Sequence, residues 1–558
     1  MEKKSKELQT LEKKGSRRPT AFSRVAPFHD GVDRGIDEID RKILNRFFTN
    51  VDDNVFVARD LPPEVWALFQ ARYSRSTAGL RESFIELLRD SPEEYKLLRD
   101  LAESGQLERF SIKSLERLAE QFMKKWYIEY SHESIAEGAV IGIGVENVSI
   151  LATKIIERAR LSSFTEKSTR YVKFKQGMYY TDPNIESSEY ADEYHRVMHL
   201  LFKTYEELQE PVLEYIKTIT DKEQFDNRGA WLRACKARRF DALRYLLPAS
   251  TLTSFGWTVN ARECSYTLSS KLYASRLYEL RVLAEKLHRE LRKVVPTLML
   301  NTSPSDYVRE TEQKLYEMVN RHVGSVVPDA DETNSVCLVH GPDPVFLEKM
   351  ITASLMYRYT RNPVRYADIA GIVDRMSSEE RRTFYAEVMK RVTRKDRPLR
   401  ELEHVYFTFE LTLDYGAFRD IQRHRMTTQT EQPLTAFLGY DVPEDVVNAG
   451  KEYEEKFRFA MDEARRLFEK MYVDMPDEAQ YVVPLGFRKR VLITLNLREL
   501  FYVIRLRSSK QGHPSYRRIA QQMYREIEKR YPWIAEFLVC DFDEHELGRY
   551  SAEARKPY

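Results

Sequence analysis

The sequence predicts an α+β chain built as two tandem copies of one domain, each a sheet packed with helices. Three observations predict it. The stretch Arg158 to Tyr171, RARLSSFTEKSTRY, has an imperfect twin at Arg423 to Ala436, RHRMTTQTEQPLTA. Each twin follows an apolar, strand-like run that passes into a helix, and each is succeeded by a Pro-containing step and an Asn-Xaa-Arg element. An opening unit of short strand, prolines and helix occurs at Asn54 to Tyr73 and again from Ser335 to Tyr357. Glu137 and Glu403, Arg158 and Arg423, and Asn260 and Asn496 keep the same order, with an offset falling from about 266 to about 236, a drift that differing loop lengths allow.

Taken in order, residues 1–33 are rich in Lys, Arg, Ser and Glu with little apolar periodicity and read as a mobile tail. The first domain is expected over 34–296. It opens with a strand at Asn54 to Val57 and a helix carrying Trp66, Leu68, Phe69 and Tyr73, followed by a helical region from Leu80 to Trp126. The nearly continuous apolar run Ala139 to Val145 predicts a buried strand, and Asn147 to Glu157 a helix that delivers Arg158 and Arg160 at its end. Leu280, Leu283, Leu287 and Leu291 recur at helical spacing, so Tyr278 to Val294 closes the unit before Pro296.

Residues 297–334 read as a linker region with a helical patch around Leu315 to Val319. The second domain, 335–558, restarts with a strand at Ser335 to Leu338 and a helix from Val345 to Tyr357. The alternating run Val405 to Leu411 predicts a strand, and Ser515 to Tyr531 a closing helix.

Composition bounds the function. The 558 residues suit two domains, and 42% hydrophobic with 12% aromatic residues supplies two cores. With 89 basic against 87 acidic residues the net charge is only +2, which argues against a nucleic-acid binder. Cys235, Cys264, Cys337 and Cys540 show neither CxxC spacing nor a disulfide framework, so no metal site and a reducing cytoplasm are expected. No apolar run is long enough to span a membrane, and Met1 does not begin a signal-peptide pattern.

Within each twin, two arginines at i and i+2 precede hydroxyl and acidic residues. Guanidinium forks match phosphate oxygens, and neighbouring hydroxyls and amides complete an anion pocket, so a phosphorylated small molecule is one reading. An exposed basic turn after a helix is the other, in a chain that is 32% charged.

The first twin resembles the motif of the flavin-dependent thymidylate synthases, RHRxxSxNExSxRY, at Arg158, Arg160, Ser163, Glu166, Ser168, Arg170 and Tyr171, departing at Ala159 and Thr165. The second keeps Arg423, His424, Arg425 and Glu431, has Thr428 and Thr430 for Ser and Asn, and ends in Pro433, Thr435 and Ala436 instead of Ser, Arg and Tyr. His132, Ser134 and Glu137 resemble the family's GHxSxxEH segment, of which the second half keeps Glu403 and His404. Arg244 before Leu247-Pro248, and Trp257 to Arg262, resemble the family's arginine before LP and its WTVNAR core. Lys271 and Ser275 stand where the family has a nucleotide-binding Arg and a flavin-contacting His. The second half restores these as Arg507 and His513, with Asn496 and Arg498, while Gln480 stands at the position corresponding to Arg244.

The resemblance implies reductive methylation of dUMP to dTMP with FAD as cofactor and methylenetetrahydrofolate and NADPH as co-substrates. It implies Ser168 and Arg170 as catalytic residues, and Glu166, Ser168, Arg170, Arg244 and Arg507 as substrate-binding. His132, Arg158, Arg160, Arg423, His424, Arg425, Asn496, Arg498 and His513 are implied on the flavin side. Because the family assembles sites from neighbouring subunits, a homodimer of tandem chains would form a pseudo-tetramer with two kinds of site. One joins the Ser168 and Arg170 loop to Arg507, Asn496 and His513; the other joins Pro433 and Thr435 to Lys271 and Ser275 and is expected to be inactive. The same departures fit an alternative, a catalytically impaired paralogue that binds flavin or a nucleotide without methylating it. A structural or nucleic-acid-associated role, suggested by Lys236 to Arg239, is opposed by the near-zero net charge.

Overall fold

Three strands, β1 (Val140–Ser149), β2 (Ser162–Glu166) and β3 (Leu252–Asn260), form a sheet in the order β1-β3-β2. Four more, β4 (Ser335–His340), β5 (Tyr406–Asp414), β6 (Thr428–Glu431) and β7 (Arg488–Asn496), form a second in the order β4-β5-β7-β6, every neighbour antiparallel. The order β1-β3-β2 is repeated by β5-β7-β6, so the tandem α+β architecture is present in the sheets themselves. This computed structural model describes residues 35–52, 55–73, 76–110, 115, 133–323, 335–393 and 395–545.

The alternation along β5 and β7 builds the core of the second sheet. Phe407, Phe409, Leu411 and Leu413 are buried, as are Val491, Ile493 and Leu495. On the less buried face Thr408 and Thr494 are cross-strand partners with their hydroxyls 2.8 Å apart.

β1 departs from the expected buried strand. Ile141 and Val145 are buried, but Val140 is 58% exposed, because Gly142 and Gly144 leave one face without side chains to pack. The strand also runs to Ser149, whose side chain accepts the Ala152 N–H and starts the helix Ile150–Ile156 three residues later than the periodicity suggests.

The expected strand at Asn54 to Val57 does not form among its described residues. Thr49 takes both polar groups of the Val57 backbone, donating its N–H to the carbonyl and accepting the amide at Oγ1, so that segment closes on Phe48 instead of extending a sheet. The helix after it, Pro63–Tyr73, is present, as are Leu80–Arg89 and Pro92–Glu103.

The chain divides into two compact units that alternate along the sequence. Unit one comprises residues 1–141, 259–265 and 286–302; unit two comprises 142–258, 266–285 and 303–558. In unit one, Phe47, Phe48, Phe84, Leu88 and Leu98 are buried, and the fully buried Asp40 carboxylate accepts from Tyr95 Oη at 2.6 Å and Arg89 Nη2 at 2.8 Å. Glu64, also buried, accepts the N–H groups of Thr297 and Leu298 at 2.9 and 3.0 Å, meeting the demand that a buried carboxylate be hydrogen-bonded.

Unit two contains a local two-fold relation between the repeats. Pro248 and Pro484 face each other in an antiparallel bridge. Around them Ala249 donates to the Val483 carbonyl and Leu485 to that of Leu247, each at 2.9 Å, while Ser250 donates to Tyr481 and Gly486 to Tyr245 at 3.1 and 3.0 Å. Prolines lack an N–H, so the neighbouring residues supply every bond across the junction. A Cβ on Gly486 would stand 3.1 Å from the Tyr245 Cβ, which explains the glycine at that close approach.

The same symmetry is visible at two helix starts, with chemistry exchanged. Ser149 donates its hydroxyl to Glu279 Oε2 at 2.6 Å, and Tyr481 of the other repeat donates to that oxygen at 3.0 Å. In the second repeat the helix cap is the acid, Asp414, which accepts the Ala417 N–H at 2.7 Å, and the hydroxyl is Ser515, which donates to Asp414. Burial raises both carboxyls, Asp414 to about 6.

The expected linker contains the helix Asp306–Val323, within which no residue is fully buried, and residues 324–334 lie outside the described residues. Among the described residues no helix is long and apolar enough to cross a membrane.

Candidate functional site

The loop after β2 carries the intact half of the first motif. Lys167 donates its N–H to the Ser254 carbonyl at 2.8 Å, tying the loop to β3. Ser168 Oγ accepts the Arg170 N–H at 3.2 Å, and the Val172 N–H reaches the Ser168 carbonyl at 3.3 Å. This turn sends Arg170 inward, with its side chain 11% exposed, and leaves Tyr171 outside at 47%.

Arg170 ends in a constellation drawn from both repeats. Its Nη2 lies 2.6 Å from Asp420 Oδ2, on the helix Tyr415–Ile421, and its Nε 2.9 Å from Asp241 Oδ1, on the helix Arg228–Leu243. Arg507, in the last turn of the helix Leu497–Ser508, places Nη1 3.7 Å from Asp420 Oδ1. The Arg170 and Arg507 guanidinium carbons lie 5.9 and 5.4 Å from the ring of Tyr516. Arg244 is 2% exposed, with Nη1 3.8 Å from Asp241 and with Nε and Nη2 buried and lacking a hydrogen-bond partner.

His424 braces Arg507. Arg507 Nε donates to His424 Nε2 at 2.8 Å, and His424 Nδ1 lies 3.1 Å from Glu499 Oε1. A guanidinium has no acceptor, so His424 carries its proton on Nδ1 and donates it to Glu499. Burial lowers the His424 pKa and keeps the ring neutral. His513 caps the helix Pro514–Arg530, and its ring is 6.1 Å from that of Tyr245 and 6.3 Å from that of Tyr516. Burial first and Arg244 second push its pKa down to about 3. Burial alone would raise Asp420, but Arg170, Arg507, Arg244 and Arg423 outweigh it and hold the carboxyl well below the usual range.

Each motif glutamate receives a cation from the other repeat. Glu166 accepts from Arg419 Nη2 at 2.9 Å and Lys154 Nζ at 2.8 Å, and the cations hold it at about 2 against its burial. Arg419 Nη1 also donates to Thr169 Oγ1 at 3.2 Å, which couples this pair to the loop that carries Arg170. Glu431 accepts from Lys489 Nζ and Arg158 Nε, both at 2.8 Å. Arg160 donates to Thr428 Oγ1 at 3.1 Å.

The remaining expected residues are spread out. Arg423 and Arg425 are exposed while His424 between them is buried. Asn496 is a helix cap, accepting the Glu499 N–H at 2.9 Å, and Arg498 donates to the Pro398 carbonyl at 2.7 Å and pairs with Glu403. Arg498 and Arg507 stand at opposite ends of one helix, about 14 Å apart along its axis. Asn260 repeats the Asn496 cap, accepting from Glu263 N at 2.8 Å. His132 lies outside the described residues.

The counterpart constellation has no inward guanidinium from its loop. Thr435 stands in the place of Arg170, and Gln480, in that of Arg244, accepts the Leu434 N–H at 3.1 Å. Lys271 Nζ lies 5.9 Å from the Tyr266 ring, and Ser275 Oγ accepts the Leu277 N–H. Arg276 pairs with Asp477 at 2.8 Å and stacks 4.6 Å from Tyr316 of the helix Asp306–Val323.

Sequence reasoning missed Asp241, Asp420, Glu499 and Tyr516. A signal existed for two of them: Asp241 and Asp420 each precede an arginine, Arg244 and Arg423, by three residues, a spacing that shares one helical face.

Arg160, Arg423 and Arg425 are exposed, and guanidinium groups are the side chains best matched to phosphate oxygens. Asp541, Asp543 and His545 bring possible metal-ligand atoms within 4.8 Å of one another, but Asp541 already engages His545 Nε2 at 2.9 Å and Arg517 Nη2 at 3.4 Å. This self-paired group carries no metal assignment.

Comparison with known proteins matches a family model, thymidylate synthase complementing protein, over residues 70–297 and again over 348–533. A UPF0159 protein of Chlamydia muridarum is 33% identical over 532 residues, covering 92% of this chain and 97% of its own length. A UPF0159 protein of Thermoplasma acidophilum is 31% identical over 79% of this chain and 93% of its own length. The flavin-dependent thymidylate synthase of Clostridium tetani is 26% identical over 178 residues, 32% of this chain and 68% of its own length.

Proposed function

Because the chain belongs to the thymidylate synthase complementing protein family, we propose that it is a flavin-dependent thymidylate synthase that methylates dUMP reductively to dTMP, using methylenetetrahydrofolate and NADPH. The observation that carries this reading is the convergence of Arg170 from the first repeat and Arg507 from the second on Asp420, above Tyr516. The half of each motif that is intact thus contributes to one constellation within a single chain.

In this reading FAD, when bound, supplies the two-electron chemistry, and Arg158, Arg160, Arg423 and Arg425 hold its phosphates. Arg170, Arg244 and Arg507 bind and orient the nucleotide, and the Ser168 hydroxyl lies beside it on the same turn. Glu166 positions that turn through Arg419 and Thr169. His424 fixes the Arg507 fork, and neutral His513 adds a polar edge without adding charge. Asn496, Arg498 and His132 complete the flavin side. The working chain is a homodimer with the form of a pseudo-tetramer, and its four free thiols accord with a cytoplasmic setting.

The test is the visible spectrum of the purified protein reconstituted with FAD, read before and after dUMP. A flavin spectrum perturbed by dUMP, followed by dTMP formation with both co-substrates, is expected. Absence of bound flavin contradicts the reading. The departures from the motif at Ala159, Lys271, Ser275, Pro433 and Thr435 favour a second reading, a paralogue that binds flavin or nucleotide without methylation. Flavin binding and a dUMP response without turnover would select it.

A further inference from the structure

The basic tract Lys236 to Arg239, which the site above does not use, divides in the structure. Lys236 is exposed, and Arg238 forks onto Asp445 of the helix Glu444–Ala449, with Nε 2.9 Å from one carboxylate oxygen and Nη2 2.7 Å from the other. Arg239 is only 8% exposed and has no such acid. Its Nε lacks a hydrogen-bond partner, and among the described residues its guanidinium makes no ion pair. The guanidinium carbon stands 4.4 Å from the Phe240 ring centroid, a stacking contact that leaves the in-plane N–H donors free. A charge kept from water without a counterion is costly, so the position calls for an anion.

Two neutral groups at the same level are also unsatisfied. The helices Gln209–Ile219 and Arg228–Leu243 turn back on each other where Trp231 Nε1 donates to the Thr220 carbonyl at 3.0 Å. Measured from that bond, Gln209 and Arg239 lie about 16 Å and about 12 Å along the two axes, less than one turn apart. Tyr205, on the helix Ala191–Glu207, is 1% exposed, and its Oη has no partner. Burial pushes its pKa up to about 12, so it remains a donor, and it and Arg239 each bear on the other's ionisation. Gln209 Nε2 donates to the Tyr205 carbonyl at 3.0 Å, which fixes the amide's orientation and leaves Oε1 as an acceptor without a donor. A water bridging Tyr205 Oη and Gln209 Oε1 would satisfy both, but it would not neutralise Arg239. The nearby acids do not do so either: Glu206 pairs with Lys173 at 2.7 Å, and Glu210 acts on Arg239 only from beyond ion-pair distance.

We propose that Arg239, Tyr205 and Gln209 form a binding site for inorganic hydrogen phosphate. Arg239 and Tyr205 Oη donate to its anionic oxygens, and Gln209 Oε1 accepts from its P–OH. Sulfate has the same shape but no proton to give at neutral pH, so it leaves Gln209 unpaired and is the poorer ligand. The depth of Arg239 and Tyr205 suits a free ion and not an ester. Asp241, two residues beyond Arg239, faces the opposite side of the helix toward Arg170, so this site is separate from the one described above.

The experiment is equilibrium dialysis of the full chain with radiolabelled orthophosphate at pH 7, for the wild type, Arg239→Gln, Tyr205→Phe and Arg170→Ala. Arg239→Gln is expected to lose one orthophosphate per chain, Tyr205→Phe to bind that ion at least about fivefold more weakly, and Arg170→Ala to keep it. Unlabelled sulfate is expected to displace that ion from the wild type at least about tenfold less effectively than unlabelled phosphate. An Arg239→Gln protein that binds as many phosphates as the wild type overturns the proposal, as does sulfate that competes as well as phosphate. Tyr205→Phe keeps the buried ring and removes only the hydroxyl, so it tests the site even where Arg239→Gln fails to fold. Unchanged phosphate affinity in that variant overturns the proposal too.

Discussion

Arg507 Nε donates to His424 Nε2 across 2.8 Å, and that one bond fixes which ring nitrogen of His424 bears the proton. Nitrogen-15 NMR of histidine-labelled protein should show Nε2 unprotonated at pH 7. Because the folded pKa is lowered, the ring should remain neutral below the usual value of about 6.5, and its contribution to stability should be lost as pH falls below that value. A protonated Nε2 at pH 7 would contradict the assignment. His424→Leu leaves Arg507 Nε without its acceptor and should cost about 1–3 kcal/mol in a urea titration.

Asp414 is a buried acid with its pKa raised to about 6. The folded state therefore holds a proton that the unfolded state releases, and stability should fall as pH rises from about 4 through 6. Asp414→Asn keeps an acceptor for the Ala417 N–H and gains a donor toward Ser515. The variant should be more stable at pH 7 by about 2 kcal/mol, read as a raised urea midpoint. A lowered midpoint at pH 7 would contradict the sign.

Glu166 and Arg419 join the two repeats at 2.9 Å in a setting where Glu166 is 1% and Arg419 8% exposed. Arg419→Met strands part of a buried negative charge and should cost about 3–5 kcal/mol in a urea titration. With the Glu166 pKa held at about 2, its contribution should be fully present above the usual value of about 4.3 and be lost between there and pH 2. Thr169 is bound to the same Arg419, so Arg170 should lose its orientation in the variant.

The tandem α+β architecture was legible in the sequence because the repeat is written in residues whose chemistry does not drift. The Asn260 and Asn496 caps, Pro248 and Pro484, and Glu166 and Glu431 all recur in order and recur in role. The strand expected at Asn54 to Val57 does not form because a short apolar run says nothing of its pairing partner, which Thr49 supplies locally. The carboxylates of the site were hidden for another reason. Asp241 and Asp420 look in sequence like ordinary surface acids. Asp420 belongs to the second repeat, so only the crossing of two repeats brings it to Arg170, while Asp241 reaches Arg170 from a distant helix of the same repeat. The Arg423-His424-Arg425 triplet was readable as a group, but not its division into one buried ring and two exposed guanidiniums.

The counterpart constellation should be silent in nucleotide binding. Arg276→Ala removes the partner of Asp477 and Tyr316 without touching Arg170, Arg244 or Arg507. Its flavin spectrum and its response to dUMP should match the wild type, and a changed nucleotide affinity would show that this region also binds.

One chain is predicted to build one nucleotide site from the loop of its first repeat and the helix of its second. The direct measurement is the stoichiometry of radiolabelled dUMP at saturation, by equilibrium dialysis of the full chain. One dUMP per chain is predicted, abolished by Arg170→Ala and by Arg507→Ala separately and retained by Arg276→Ala. Two per chain, or binding that survives the loss of either Arg170 or Arg507, would contradict it.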